Sequence, residues 1–343
     1  MQSIYRQHSQ GYRHDSARQY QILDVDRSGM PCGKKAAFGS PGYVAKQRNR
    51  RGRQLGRVLA SRYEEVVVDR LFDGTTQLTK ALQPLIEAAE QTLGLDQQQR
   101  ERTLVRTDAG GGSVDDVNWL LVRGYQFHGK DDSTARARRL AHSVQHWIED
   151  PQVQGRQLGW VCLPATEYVR PVRRIAVRCR KANGQWGIGV LISTLTPAQV
   201  LALTQPEASP NAEAATVRLS YVSLYDQRGG GVETSFKGDH QGLGSTKRSK
   251  KRGSRATDGD VVGQPGPPCR HLGSSVADAG CCVQQAAARW DPAYGARCVP
   301  YQWLSDLRCL GPSRPDCAEP SSTFGTHFSR VVAGALDPYP CRR

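Results

Sequence analysis

The first alternation of apolar and polar positions falls at Gln19 to Asp26 (QYQILDVD). It predicts a buried strand that delivers carboxylates to its end, with Arg27-Ser28-Gly29 as turn chemistry after it. Tyr63 to Phe72, around Val66-Val67-Val68, predicts a second strand, and Leu78, Leu82, Leu85, Ile86 and Ala89 recur at helical spacing within Thr76 to Leu93. Thr103 to Asp108 (TLVRTD) predicts another strand with an acid at its tip, and Ala109 to Ser113 a glycine-rich turn into a helix over Val114 to Arg123. Gly124 to Lys130 predicts the next strand. Asp132 to Trp147 predicts a basic amphipathic helix with Arg136, Arg138 and Arg139 on its polar side.

From Gly159 to Leu195 the period shortens to two, and Asn183-Gly184 signals a hairpin, so this part predicts a β-rich insertion. A helix and a Pro/Ala/Glu-rich connection follow over Thr196 to Ala214, then a strand over Ala215 to Tyr225, and then a glycine turn at Gly229-Gly230-Gly231. Beyond Lys251 periodicity is lost among Gly, Pro, Ser, Cys and Arg. These elements give an α/β fold.

Composition narrows the function. The 343 residues carry 47 Lys+Arg against 32 Asp+Glu, a formal charge of +15, which favours a polyanionic partner. A mean hydropathy of −0.56 and the lack of a long apolar run exclude a membrane span. Met1 to Tyr20 has no apolar segment of the secretory kind, so a reducing compartment is expected, and the ten cysteines are not read as a disulfide framework. His128, His142 and His146 have no cysteine partners at zinc spacing, and the cysteine-rich tail lacks closely spaced pairs.

Three acids stand out: Asp26 and Asp108 at strand ends and Glu233 beyond the glycine run. Three carboxylates suffice for two magnesium ions about 4 Å apart, the arrangement that activates an attacking oxygen and stabilises a leaving one in phosphodiester transfer. Taken singly, a strand-end Asp also serves as a helix cap. Asp24 competes with Asp26, because the two share one face of a strand. Asp115 and Asp116 fit the start of a helix, where acids complement the dipole. The Gly110 to Gly112 run lacks the Gly-Lys-Ser/Thr of a phosphate loop and reads as a turn that clears space beside Asp108. Trp119, Trp147, Trp160 and Trp186 read as core residues.

The segments Leu23-Asp24-Val25-Asp26-Arg27-Ser28, Arg106-Thr107-Asp108-Ala109-Gly110-Gly111-Gly112-Ser113 and Tyr225 to Gly244 resemble the three acid regions of IS4-type DDE transposases. The resemblance covers roughly Gln19 to Lys251. It implies a ribonuclease-H-like mixed sheet with flanking helices, with residues 19–158 and 215–251 as catalytic core and 159–214 as a β-rich insertion. It implies Asp26, Asp108 and Glu233 as catalytic acids and ligands of Mg²⁺ or Mn²⁺, acting in cleavage and strand transfer at insertion-sequence ends. DNA is the implied partner, with a homodimer as an option and a prokaryotic cytoplasmic, nucleoid-associated location.

That family also carries a Tyr-x2-Arg-x3-Glu-x6-Lys signature. Tyr225 and Arg228 fit its first interval, Glu233 comes one residue late, and His240 stands where the Lys is expected. Tyr225, Arg228 and Lys237 are the expected DNA contacts here, Lys237 being equally suited to an i,i+4 ion pair with Glu233. The basic stretch from Lys34 to Arg57 adds Lys46, Arg48 and Arg51 as phosphate contacts.

Residues 1–18 are expected to be disordered or the remnant of a truncated N-terminal region. Residues 252–343 are expected to be an out-of-frame tail without fixed structure, because a reading one base later permits an apolar, Trp-rich helix. The chain is thus expected to be a degraded copy of the transposase. A non-catalytic basic DNA-binding protein regulating related elements, and a ribonuclease-H-like nuclease, are the alternatives.

Overall fold

The computed structural model describes residues 2–44, 47–207 and 213–242. The expected tail at 252–343 and Lys46 lie outside these residues.

Among the described residues ten strands form one mixed sheet. Strand β1 (Gln21–Pro31) pairs antiparallel with β3 (Gln47–Ala60), which also pairs with β2 (Ser40–Val44) and β4 (Glu65–Asp73). On its other edge β1 runs parallel to β5 (Thr103–Thr107), and β5 runs parallel to β6 (Gln126–Lys130). An antiparallel meander joined to two parallel strands, with helices on the faces, is the ribonuclease-H-like arrangement.

The sheet then continues without a break. Strand β10 (Trp186–Ser193) pairs antiparallel with β6, and β9 (Arg173–Arg180), β8 (Arg156–Trp160) and β7 (Ile148–Glu149) follow outward. The β-rich stretch after Gly159 therefore extends the sheet edge to edge.

The two faces of β1 explain the layering. Leu23 and Val25 are fully buried on one side, in a core shared with Leu82, Leu85 and Ile86 of helix α2 (Leu78–Leu93) and Val117 and Leu120 of helix α4 (Val114–Val122). Between them lies the short α3 (Gln97–Glu101). Gly94 ends α2 at a φ of 67°, a left-handed conformation that costs glycine little. Asp24 and Asp26 alternate to the opposite face of the sheet, as the strand period requires.

That opposite face is covered by α6 (Pro197–Thr204), α7 (Ala214–Arg228) and α8 (Thr234–Gly242). Val217, Tyr221 and Leu224 of α7 pack with Leu104 and Ile175, whereas Val232 and Phe236 pack with Leu55, Leu59 and Leu71. Helix α5 (Thr134–Ala141) sets Ala137 and Leu140 against Ala176 and Val190.

Several elements differ from the sequence expectations. Ala215 to Tyr225 is helix, not strand: Val217, Leu219 and Tyr221 fit a period of two, but Val217, Tyr221, Leu224 and Arg228 also fit helical spacing, and burial of the second set prevails. The glycine run is not a turn. Gly229–Glu233 forms a five-residue π-helical turn that joins α7 to α8. Arg27-Ser28-Gly29 stays within β1, paired with Gly56, Leu55 and Gln54 of β3.

Residues 2–8, within the segment expected to be disordered or remnant, form helix α1 (Gln2–His8), with Tyr5 buried and Arg6 donating to the carbonyls of Gln91 and Thr92. Trp119, Trp147 and Trp160 pack against core clusters, but Trp186 is exposed, with the Arg178 guanidinium 4.6 Å from its ring and 4.1 Å from that of Trp147. No helix among the described residues is long and apolar enough to cross a membrane.

Candidate active site

Asp26 is set by β1, and Asp108 follows β5 directly. The parallel register pairs Asp24 with Arg106 and Val25 with Thr107, so one further step brings Asp26 level with Asp108 on neighbouring strands. Adjacent strands lie about 4.8 Å apart, which puts two carboxylates side by side. Burial, and next the Asp108 charge, push the Asp26 carboxyl up to about 6, against the lowering effect of Arg228 and of the Arg27 amide.

Asp108 also performs the ordinary work of a helix cap. Its Oδ1 accepts from the Gly110 amide at 2.8 Å at the head of a short 3-10 turn, Ala109–Gly111. The glycines beside it are required by space, because a Cβ on Gly112 would sit 1.8 Å from the Lys130 carbonyl oxygen.

Glu233 reaches the pair through Arg228. The Arg228 guanidinium donates to Asp26 Oδ2 at 3.1 Å and to Glu233 Oε1 at 2.9 Å, and it lies 5.8 Å from the centroid of the half-buried Tyr225 ring. Burial pulls the Arg228 pKa down, but the charges of Asp26, Tyr225 and Asp108 outweigh it and raise it. Burial also raises the Tyr225 phenol.

A π turn, which holds one residue more than an α turn, separates Arg228 from Glu233, and across it the two side chains still meet.

Asp24, the rival first acid, has a different environment. It is fully buried, and Arg106 donates to it twice, Nε to Oδ1 at 2.6 Å and Nη2 to Oδ2 at 2.8 Å, while the Ser61 hydroxyl also donates to Oδ2. Arg106 completes its fork with the Leu224 carbonyl of α7 at 2.7 Å. Asp24 and Arg106 thereby pin α7 to the sheet.

His128 extends this row onto β6, opposite Arg106. It is completely buried, donates from Nε2 to the Tyr221 carbonyl at 3.0 Å, and is pushed down to about 3 by burial and then by Arg106.

A second buried arginine fixes α8. Arg57 of β3 donates to both oxygens of Asp69 on β4, to Asp239 of α8 at 2.5 Å and to the Ser235 hydroxyl at 3.0 Å, and it stacks on Phe236. Burial lowers its pKa, but Asp69 and Asp239 raise it by more. Neither Arg57 nor Asp239 stood out in the sequence, since one lay in a run of basic residues and the other beyond the motif. Their signal is long-range charge pairing, invisible along the chain.

The remaining candidates separate. Lys237 is exposed on α8, and among the described residues Glu233 pairs with Arg228 and has no ion pair with Lys237. Arg48 is exposed and Arg51 half-buried on β3, nine and six residues before Arg57, or about 30 and 20 Å along a strand. The structure therefore does not bring them to the acids. Arg228 is turned inward rather than toward a surface, with its side chain 5% exposed.

Asp26 and Asp108 set two carboxylates of like charge beside each other, and Glu233, 57% exposed, is joined to Asp26 through Arg228. Among the described residues, no group of three His, Cys, Asp or Glu side chains is placed to hold a metal ion.

No protein-family model matches the chain. No curated protein matches it either. Among solved structures, the chain is similar to piggyBac transposase in a synaptic complex with hairpin DNA, with a TM-score of 0.41 and 13% identity, over 69% of this chain and 44% of that one. The chain thus spans less than half the length of the transposase it matches.

Proposed function

We propose that this chain is the catalytic part of a DDE-type DNA transposase, IS4-like, that cleaves DNA at element ends and joins them to a target. In this reading residues 19–158 and 215–251 form the catalytic core and 159–214 the insertion. The observation that supports it is Asp26 level with Asp108 at the end of β5, with Glu233 tied to Asp26 through Arg228 on the helix-covered face of the sheet.

Asp26 and Asp108, with Glu233, would hold Mg²⁺ or Mn²⁺, which when bound supplies Lewis acidity for phosphodiester cleavage. The chain's own groups do the rest. Arg106 and Arg57 fix the two helices over the sheet, the Tyr225 ring stands beside Arg228, and Lys237 presents an exposed positive charge on the helix that follows Glu233.

Nicking of supercoiled plasmid with Mg²⁺ tests the proposal. Activity in the wild-type chain and its loss in Asp108→Ala and Glu233→Ala are expected; activity retained in both would remove these acids from the chemistry.

One observation favours a second reading, a non-catalytic DNA binder. Arg178 lies between the rings of Trp147 and Trp186 at an exposed part of the sheet, a cation and aromatic surface of the kind that suits nucleic acid. Salt-sensitive DNA binding indifferent to Asp108→Ala, without nicking by the wild type, would favour it.

A further inference from the structure

The register that sets Asp26 level with Asp108 continues across the sheet. Thr107 pairs with Gly129, so Asp108 stands level with Lys130 at the end of β6, on the neighbouring strand about 4.8 Å away. Lys130 shares a face of β6 with His128, which bonds to α7, and this is the face of Asp26 and Asp108. Its cross-strand partner Leu191 packs against Val222 of α7, in agreement with that orientation.

The Lys130 side chain is half-buried and lies along β10: a Cβ on Gly189 would sit 2.7 Å from its Cε and 3.4 Å from its Nζ. Two residues along the same strand, a Cβ on Gly187 would sit 3.0 Å from Cε of Lys181, an exposed residue at the β9–β10 hairpin. Gly187 and Gly189 fall on one face of β10, so the two lysine stems cross that face about 7 Å apart.

Charge separates these lysines from the arginines around them. On the same face Arg57 is bound to Asp69 and Asp239, Arg106 to Asp24, Arg156 to Asp150 and Asp226, and Arg228 to Asp26 and Glu233. Lys130 and Lys181 make no ion pair among the described residues. A phosphodiester that approaches Asp26 and Asp108 meets two like charges, and the arginines nearby have theirs already matched. A lysine ammonium on a flexible stem can swing from its glycine to a phosphate oxygen.

We infer that Lys130 binds a DNA phosphate beside the acids and that Lys181 binds a further phosphate of the same strand, which leaves the acids along β10. This inference rests on the reading of Asp26 and Asp108 as the place where DNA reacts.

The test is fluorescence anisotropy of a labelled duplex with the full chain, across 50 to 300 mM salt, on wild type, Lys130→Met, Lys181→Met, the double variant and Lys130→Arg. Methionine keeps an apolar stem over the glycine and removes the charge. Each methionine variant should lower the slope of log affinity against log salt by about 0.9, and the double variant by about 1.8, with Lys130→Arg at the wild-type slope. Plasmid nicking at DNA concentrations below saturation should fall in Lys130→Met and recover in Lys130→Arg.

An unchanged slope in Lys130→Met, with nicking still dependent on Asp108, overturns the inference and leaves the reading of the acids intact. A slope lowered by Lys181→Met alone overturns it too, because the strand then does not pass the acids. A wild-type chain that nicks no DNA, or no more than Asp108→Ala does, overturns the reading of the acids and with it the place given to Lys130. Should Lys130→Met fail to fold by circular dichroism, the slope of Lys130→Gln decides by the same criterion.

Discussion

Burial and the Asp108 charge raise the Asp26 carboxyl from 3.8 to about 6, so between those values the folded chain holds a proton that the unfolded chain releases. Stability from this group therefore falls as pH rises through that window, and above it the ionised carboxylate costs about 3 kcal/mol. His128 works in the opposite direction. Its value falls from 6.5 to about 3 in the fold, so the unfolded chain binds the extra proton, and stability from His128 is lost as pH falls through that range. The two slopes oppose each other in the wild-type chain. Asp26→Asn should raise the melting temperature at pH 7.5, with the gain vanishing below pH 4, and should expose the acid sensitivity due to His128; thermal melts across pH 3.5 to 8 check this, and an unchanged pH profile would contradict it. Arg57 makes a different prediction. Arg57→Leu strands Asp69 and Asp239 in the interior and should cost about 3–5 kcal/mol by denaturant unfolding.

The element that decides the site is the continuous rod of α7, π turn and α8. Its glycines are unequal. A Cβ on Gly230 would meet nothing, and Gly230 has no positive φ, so Gly230→Ala should stabilise the chain by up to about 1 kcal/mol through helix propensity. A Cβ on Gly231 would lie 3.3 Å from Asp24 Oδ2, so Gly231→Ala should gain less or lose. In the loop after β5 the tolerance ends: Gly112→Ala drives a methyl into the Lys130 carbonyl and should cost about 1–3 kcal/mol or more. A comparison of the three unfolding midpoints tests the ranking, and a stable Gly112→Ala would show that the loop can move away from β6. The strand expected at Ala215 to Tyr225 shows why this element was hidden. Val, Tyr and Leu at alternate positions satisfy both periods, and the choice is made by Leu104 and Ile175 on the sheet beneath.

At the scale of the molecule, the excess of 47 basic over 32 acidic residues predicts DNA affinity that falls steeply with salt. Much of the arginine near the acids does not take part. Arg57 and Arg106 are spent inside the fold on Asp69, Asp239 and Asp24, and Arg228 on Asp26 and Glu233. Fluorescence anisotropy with a labelled duplex should show binding weakened between 50 and 300 mM salt and little altered by Asp108→Ala; salt-independent binding would argue against a phosphate-dominated interface.

Local pattern was enough for most of the sheet's first half, since β4, α2, β5, α4 and β6 each follow from apolar periodicity and turn chemistry that neighbouring residues supply. It also placed Asp108 just past the end of a strand, because alternation and glycine turns are written in adjacent positions, whereas Asp26, expected at a strand end, lies inside β1, which runs on to Pro31. Tertiary structure alone gave Asp24 and Asp26, which share a face of β1, different partners: Arg106, 82 residues from Asp24, and Arg228, 202 residues from Asp26. It turned a predicted strand into α7, set Glu233 at the end of a π turn, and took Arg228, expected to contact DNA, into a bridge between acids. Those outcomes depend on charges and apolar surfaces that meet across the sheet, and no spacing along the chain encodes them.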